Sequence, residues 1–138
     1  MTDIQIKDEI LDIGTCLKLA HDESCGGIAT FIGTVRNQTK EKKVLRLEFE
    51  AYKGMAVKEM MKIAEEVQSK FSVKNVVIHH RTGTLLPGDI AVIILVSDGH
   101  RDSVFDACKY AIDTLKKTVT IWKKEIFEDG EEWVSAHP

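Results

Sequence analysis

Cationic side chains gather at four places in this sequence where packing alone does not explain them. In Gly33-Thr34-Val35-Arg36 an apolar, β-branched run ends in a guanidinium. Arg36 is either a solvated strand end or an anion contact, since arginine can grip a phosphate or carboxylate through two parallel hydrogen bonds. Ser97-Asp98-Gly99-His100-Arg101 runs from a buried strand through a glycine turn into a helix. A helix N-terminus offers unpaired N–H groups and partial positive charge, so His100 and Arg101 fit a phosphate site. A plain turn capped by Asp102 or Ser103 is the alternative. Lys116-Lys117 closes a helix, where lysines also simply complement the helix dipole. Trp122-Lys123-Lys124-Glu125 lies on a strand, so Lys123 and Glu125 share one face and Lys124 points the other way.

Hydrophobic spacing predicts the elements that hold these groups. Asp3–Lys7 alternates as a short strand, and Ile10, Ile13, Leu17 and Ala20 give a helix over Asp8–Ala20. Ile28–Val35 reads as a buried strand, Arg36–Lys43 as a mobile polar loop, and Leu45, Leu47, Phe49 and Ala51 as one face of a half-buried strand. Met60, Ile63, Ala64, Val67 and Phe71 keep helical spacing, which predicts a helix over Met55–Phe71. Strands follow at Val73–His80 and Asp89–Ser97, separated by a Pro87-Gly88-Asp89 turn. A third helix spans Asp102–Lys117, then a strand at Val119–Phe127, a turn at Glu128-Asp129-Gly130, and a last strand at Glu132–Ser135. Strands and helices mix without strict βαβ alternation, so the class is α+β.

The chain has 138 residues, the size of one domain over 1–138, with 43% hydrophobic and 30% charged residues. Its net charge of −3 argues against general affinity for nucleic acid or an anionic membrane, both of which need a basic excess. That charge also disfavours a nucleic-acid role for Arg36–Lys43. No apolar run approaches the roughly 20 residues of a membrane span, and Met1–Lys7 lacks the apolar core of a signal peptide. A cytoplasmic location is expected. Cys16, Cys25 and Cys108 are odd in number and widely spaced, the pattern of reduced thiols packed as small apolar groups. His79 and His80 point to opposite faces of a strand and cannot chelate one metal together. No P-loop, HExxH or Ser/His/Asp order occurs, and no motif requires a metal or organic cofactor.

Five segments in register resemble the molybdopterin synthase large subunit, the MoaE family. Phe31-Ile32-Gly33-Thr34-Val35-Arg36-Asn37 is similar to its FxGxVRN motif, and Leu47–Tyr52 with Gly54-Met55 to its LExExYxxM-like segment. His80-Arg81-Thr82-Gly83 with Leu86–Asp89 is similar to HRxGxLxxGD. His100-Arg101 with Phe105-Asp106-Ala107 resembles HRxxAFxA, and Asp113–Lys116 with Ile121–Glu125 resembles DxLKxxxPxWKKE. The likeness covers roughly Gly26 to Val134. Thr120 stands where the family usually has proline, which implies a looser start to the strand. Ile112 stands where methionine can occur, and the tail Ala136-His137-Pro138 replaces a basic extension.

The resemblance implies a hammerhead-like α+β fold with a mixed, mostly antiparallel sheet and about three helices. It also implies a sulfurtransferase acting on a pterin substrate, cyclic pyranopterin monophosphate. Two dithiolene sulfurs come from the Gly-Gly thiocarboxylate of a small, MoaD-like sulfur-carrier subunit. Lys116 and Lys123 match the catalytic lysines. Phe31, Thr34, Val35, Arg36, His100, Arg101, Lys124 and Glu125 fall in substrate-binding segments. Clustered cations lower a lysine's pKa, which suggests Lys116 for acid/base or nucleophilic work and Lys123 for stabilising negative charge. Arg101 and Lys116 lie roughly 22 Å apart along one helix, so a site using both implies a symmetric homodimer within a heterotetramer. The rival class is a non-catalytic scaffold that docks a β-grasp carrier.

Overall fold

The computed structural model describes residues 1–134. Strands β1 (Thr2–Lys7), β2 (Gly27–Thr34), β5 (Asn75–Arg81) and β7 (Ile90–Asp98) form one sheet in the order β1-β5-β7-β2, with β1 parallel to β5 and the other pairs antiparallel. A second, antiparallel sheet holds β3 (Gln38–Thr39), β4 (Lys42–Ala51), β8 (Ile121–Phe127) and β9 (Gly130–Val134) in that order, and β6 (Gly83–Leu85) also pairs with β4. Three helices complete the chain: α1 (Ile13–Ala20), α2 (Lys53–Phe71) and α3 (Asp102–Thr118). The α+β class with three helices and mostly antiparallel strands is as expected. Among the described residues no helix is long and apolar enough to cross a membrane.

The Ile90–Val96 run is apolar throughout because both faces of β7 are covered. Val92, Ile94 and Val96 pack against α2 and α3, while Ile93 and Leu95 pack with Leu11, Cys16 and Ala20 around α1. Helix α3 buries Val104, Ala107, Cys108, Ala111, Ile112 and Leu115, a stripe of three- and four-residue steps that fixes its rotation. Lys116 and Lys117 therefore leave the last turn on its exposed side. The backbone N–H of Val119 closes the helix on the Leu115 carbonyl at 3.0 Å.

Five local expectations are corrected. Helix α1 starts at Ile13, five residues later than its spacing suggested, because Asp12 accepts hydrogen bonds from the Gly14 N–H and the Thr15 hydroxyl and sets the cap there. Ile10 is consequently 75% exposed, and Leu11 takes the buried place. The loop expected over Arg36–Lys43 is a hairpin, with Lys40 and Glu41 both in the left-handed region. The alternation expected along β4 breaks at Leu45, where the pairing with β8 shifts register and Val44 goes inward instead. The last strand begins at Gly130, and Ser135 and the Ala136-His137-Pro138 tail lie outside the described residues. Thr120 does not loosen the start of β8: its N–H donates to Glu59 Oε1 at 3.1 Å, a bond proline would lack.

Candidate active site

A cleft of about 1060 Å³ opens where the end of β2, the end of α3 and the inner face of β8 meet. This is at the upper end of small-molecule sites, roughly 300–1,000 Å³, and leaves room for a second group beside a small heterocycle.

Strand β2 enters from the core. Its pairing with β7 runs in register to Gly33–Val92 and then skips Ala91, so that Thr34 faces Ile90. This bulge turns the strand end. Glycine is needed there, because a Cβ on Gly33 would stand 2.7 Å from Val92 Cγ1 and 3.2 Å from the Phe31 ring. Val35 is buried and held through both backbone groups, its N–H on Asp89 at 3.0 Å and its carbonyl on Gly88 at 2.8 Å. Arg36, one residue beyond that anchor, is exposed at the cleft.

Strand β8 supplies the opposite wall. Ile121, Lys123 and Glu125 line the cleft, while Lys124 turns away to Glu131 at 3.3 Å and stacks over Trp133 at 5.0 Å. Lys116 completes the group from the end of α3, with Ile112 and Asp113 beside it. The cations are not equivalent. Burial strips water from the Lys123 ammonium and holds its pKa below the usual lysine value of 10.5; Arg36 and Lys116 push the same way, and Glu125 opposes them. Glu125 is 6% exposed, and its Oε2 is buried with no hydrogen-bond partner among the described residues. An orphaned carboxyl oxygen in a cation-lined cleft is a place for a ligand's donor.

The fold thus brings Phe31, Thr34, Val35, Arg36, Lys116, Lys123 and Glu125 to one cleft. It does not bring Lys124, His100 or Arg101 there. His100 and Arg101 sit at the far ends of both β2 and α3. The Gly26 N–H bonds the Asp98 carbonyl at 3.0 Å, and a Cβ on Gly27 would touch Arg101 at 3.4 Å. Neither Asp102 nor Ser103 caps α3; the capping position is Arg101 itself, with no side-chain bond.

Sequence reasoning about site chemistry passed over His80, which it weighed only as a metal ligand. His80 lines the cleft, 5% exposed, with its ring edge-to-face on Phe49 at 5.4 Å. Burial pushes its pKa down to about 4, against a smaller opposing effect of the Arg81 carbonyl. The signal available was its two-residue step from Val76 and Ile78, which puts all three on one face of β5. His79 takes the other face, bonded to Cys16 Sγ at 3.2 Å and Asp3 Oδ2 at 2.6 Å.

A family model described as MoaE protein matches residues 6–118. The molybdopterin synthase catalytic subunit of Dictyostelium discoideum is 44% identical over 131 residues, which cover 94% of this chain and 83% of that one. The subunit of the same name from Bacillus subtilis (strain 168) is 46% identical over 118 residues, 86% of this chain and 75% of that one. A crystal structure of molybdopterin synthase from Staphylococcus aureus superimposes with a TM-score of 0.91 at 40% identity, covering 94% and 95% of the two chains.

Proposed function

The chain belongs to the MoaE protein family, and we propose that it is the catalytic subunit of a molybdopterin synthase. It acts in molybdenum cofactor biosynthesis, converting cyclic pyranopterin monophosphate to molybdopterin with sulfur from the thiocarboxylated C-terminus of a small carrier subunit. The observation that carries this reading is the convergence of Arg36, Lys116 and Lys123 on one cleft beside Glu125, whose Oε2 has no hydrogen-bond partner among the described residues. A cyclic phosphate and a thiocarboxylate are both anions, and a cleft lined by these cations attracts both.

Roles follow from the surroundings of each group. Lys123 is the proton-transfer residue, because its lowered pKa brings the neutral amine closer to working pH. Lys116, exposed at the cleft mouth, meets the carrier's acyl terminus. Arg36 holds the phosphate, and Phe31, Thr34 and Val35 shape the wall. A Gly-Gly tail suits such a cleft because it brings backbone without side chains.

His100 and Arg101 serve the cleft of a second copy in a symmetric dimer, with carriers at the outer ends of a heterotetramer. Two features support this. The Arg101 turn and the Lys116 cleft are separated by the whole of α3, and Phe105, one turn after Arg101, is 68% exposed, an apolar side chain suited to a subunit contact. The work is placed in the cytoplasm.

The test is to mix the purified chain with a thiocarboxylated carrier and the pterin precursor. Dithiolene product is expected, at rates that fall when Lys116 or Lys123 is replaced by alanine. A chain that binds the carrier but yields no dithiolene is a scaffold, and the proposal is then wrong.

A further inference from the structure

His80 is fixed more tightly than a wall residue needs to be. Its Nδ1 lies 2.8 Å from the Arg81 carbonyl oxygen. A carbonyl only accepts, so Nδ1 carries the proton and donates it. The ring is buried and neutral at physiological pH, so that proton is its only one. Nε2 is therefore a bare lone pair. The Arg81 bond and the edge-to-face contact with Phe49, at an interplanar angle of 71°, together hold the ring in one orientation. No protein donor reaches Nε2 among the described residues, yet Nε2 is not sealed off as Glu125 Oε2 is. The opening beside the ring is the cleft that His80 lines.

We infer that His80 Nε2 accepts a hydrogen bond from an N–H group of the substrate heterocycle, and so sets which way round the substrate enters. The inference rests on the reading of the cleft as a pterin site. The cleft is polarised by depth: exposed Arg36 and Lys116 stand at its mouth, and buried His80 and Glu125 at its floor. A cyclic phosphate diester and a thiocarboxylate have no donor to offer a bare acceptor. They belong at the cationic mouth. A reduced pterin carries several N–H donors, and these satisfy the floor. A buried acceptor left without a donor costs free energy, so a heterocycle that presents its N–H edge is favoured over one that does not. His80 is thus a specificity residue that touches substrate and exchanges no proton with it.

The experiment titrates wild type, His80→Gln and His80→Leu with two probes, the pterin precursor and inorganic phosphate, after melting curves confirm folding. His80→Leu is expected to weaken the precursor by roughly ten- to hundredfold and to leave phosphate within about twofold. His80→Gln, whose side-chain carbonyl offers an acceptor at about the same reach, is expected to recover most of the affinity. Nitrogen NMR of wild type adds a readout that a packing role would not move. The Nε2 resonance should be that of an unprotonated nitrogen and should shift with the precursor, not with phosphate. Wild-type affinity in His80→Leu would overturn the inference, because water then fills the place. Equal losses in both variants with both probes would overturn it too, since only packing against Phe49 is then at stake. If His80→Leu fails to fold, the NMR shift and His80→Gln decide alone. Wild type that binds phosphate and no pterin overturns the functional reading itself, and this inference with it.

Discussion

A pocket shared between two protomers should be restored when two chains with complementary defects form a hybrid dimer. Lys116 lies 15 residues beyond Arg101, and the helix between them is unbroken, so about 1.5 Å per residue separates their backbones by roughly 22 Å. Two side chains at opposite ends of a helix cannot meet over one small heterocycle. If the pocket takes Lys116 from one protomer and Arg101 from its partner, Lys116→Ala and Arg101→Ala each kill both pockets of their own dimer. Mixed at equal amounts and allowed to exchange, half of the dimers are hybrids. Each hybrid has one pocket lacking both residues and one that is intact. Dithiolene formation should therefore return to about one quarter of the wild-type rate per protomer. Both substitutions are at exposed positions, so each variant alone should melt within a few degrees of wild type. The assay is product formation after exchange, with hybrids verified by mass. Activity that stays at the single-variant level despite verified hybrids refutes the shared site, and so does an active monomer.

The pH profile of kcat should rise as Lys123 loses its proton, with a midpoint below the ordinary lysine value of 10.5. Arg36→Gln removes a repelling charge and should move that limb to higher pH, whereas Glu125→Gln removes an attracting one and should move it lower; shifts in one direction for both would exclude Lys123 as the titrating group. Lys123→Met should raise the melting temperature at neutral pH, because the folded state disfavours the buried ammonium, and the gain should shrink as the pH climbs past the lowered pKa and the unfolded chain keeps the extra proton. Gly33→Ala should cost about 1–3 kcal/mol by overpacking, since its Cβ would stand 2.7 Å from Val92 Cγ1; an unchanged urea midpoint would show that the bulge yields freely. Asp3→Ala leaves the buried His79 Nε2 without its partner and should cost about 1–3 kcal/mol, read as a lower melting temperature with the activity of the folded protein intact.

What the sequence made legible follows from which forces act locally. Helix α3 and strand β7 were readable because their burial is periodic: α3 presents one stripe to one sheet, and β7 is covered on both faces. The opposed directions of Lys123 and Lys124 followed from strand alternation alone. The start of α1 was misread because Ile10 fits the helical spacing, while the Asp12 cap is a hydrogen-bond choice that spacing does not register. The Lys40-Glu41 turn gave no signal, since neither residue is the glycine or asparagine that usually marks a left-handed hairpin. The shift at Leu45 is likewise invisible in an apolar alternation that reads equally well without it.

For the site, residue types were legible and their electrical states were not. Sequence alone pointed to Lys116 for acid/base or nucleophilic work and to Lys123 for stabilising negative charge, because it does not show which of the two loses its water. The structure separates them by solvation. Lys123 is half-buried on β8, and burial is the largest influence on it; Lys116 is exposed on the last turn of α3. The same distinction explains His80. Its neighbour Arg81 contributes only a backbone carbonyl to it, a group every residue has, so no pattern of side-chain types announces the bond that fixes the Nδ1 proton. Burial then removes the second proton, and together they turn an ordinary histidine into a fixed acceptor. Charge can be counted along a chain, but the water each charge keeps depends on which strands close over it.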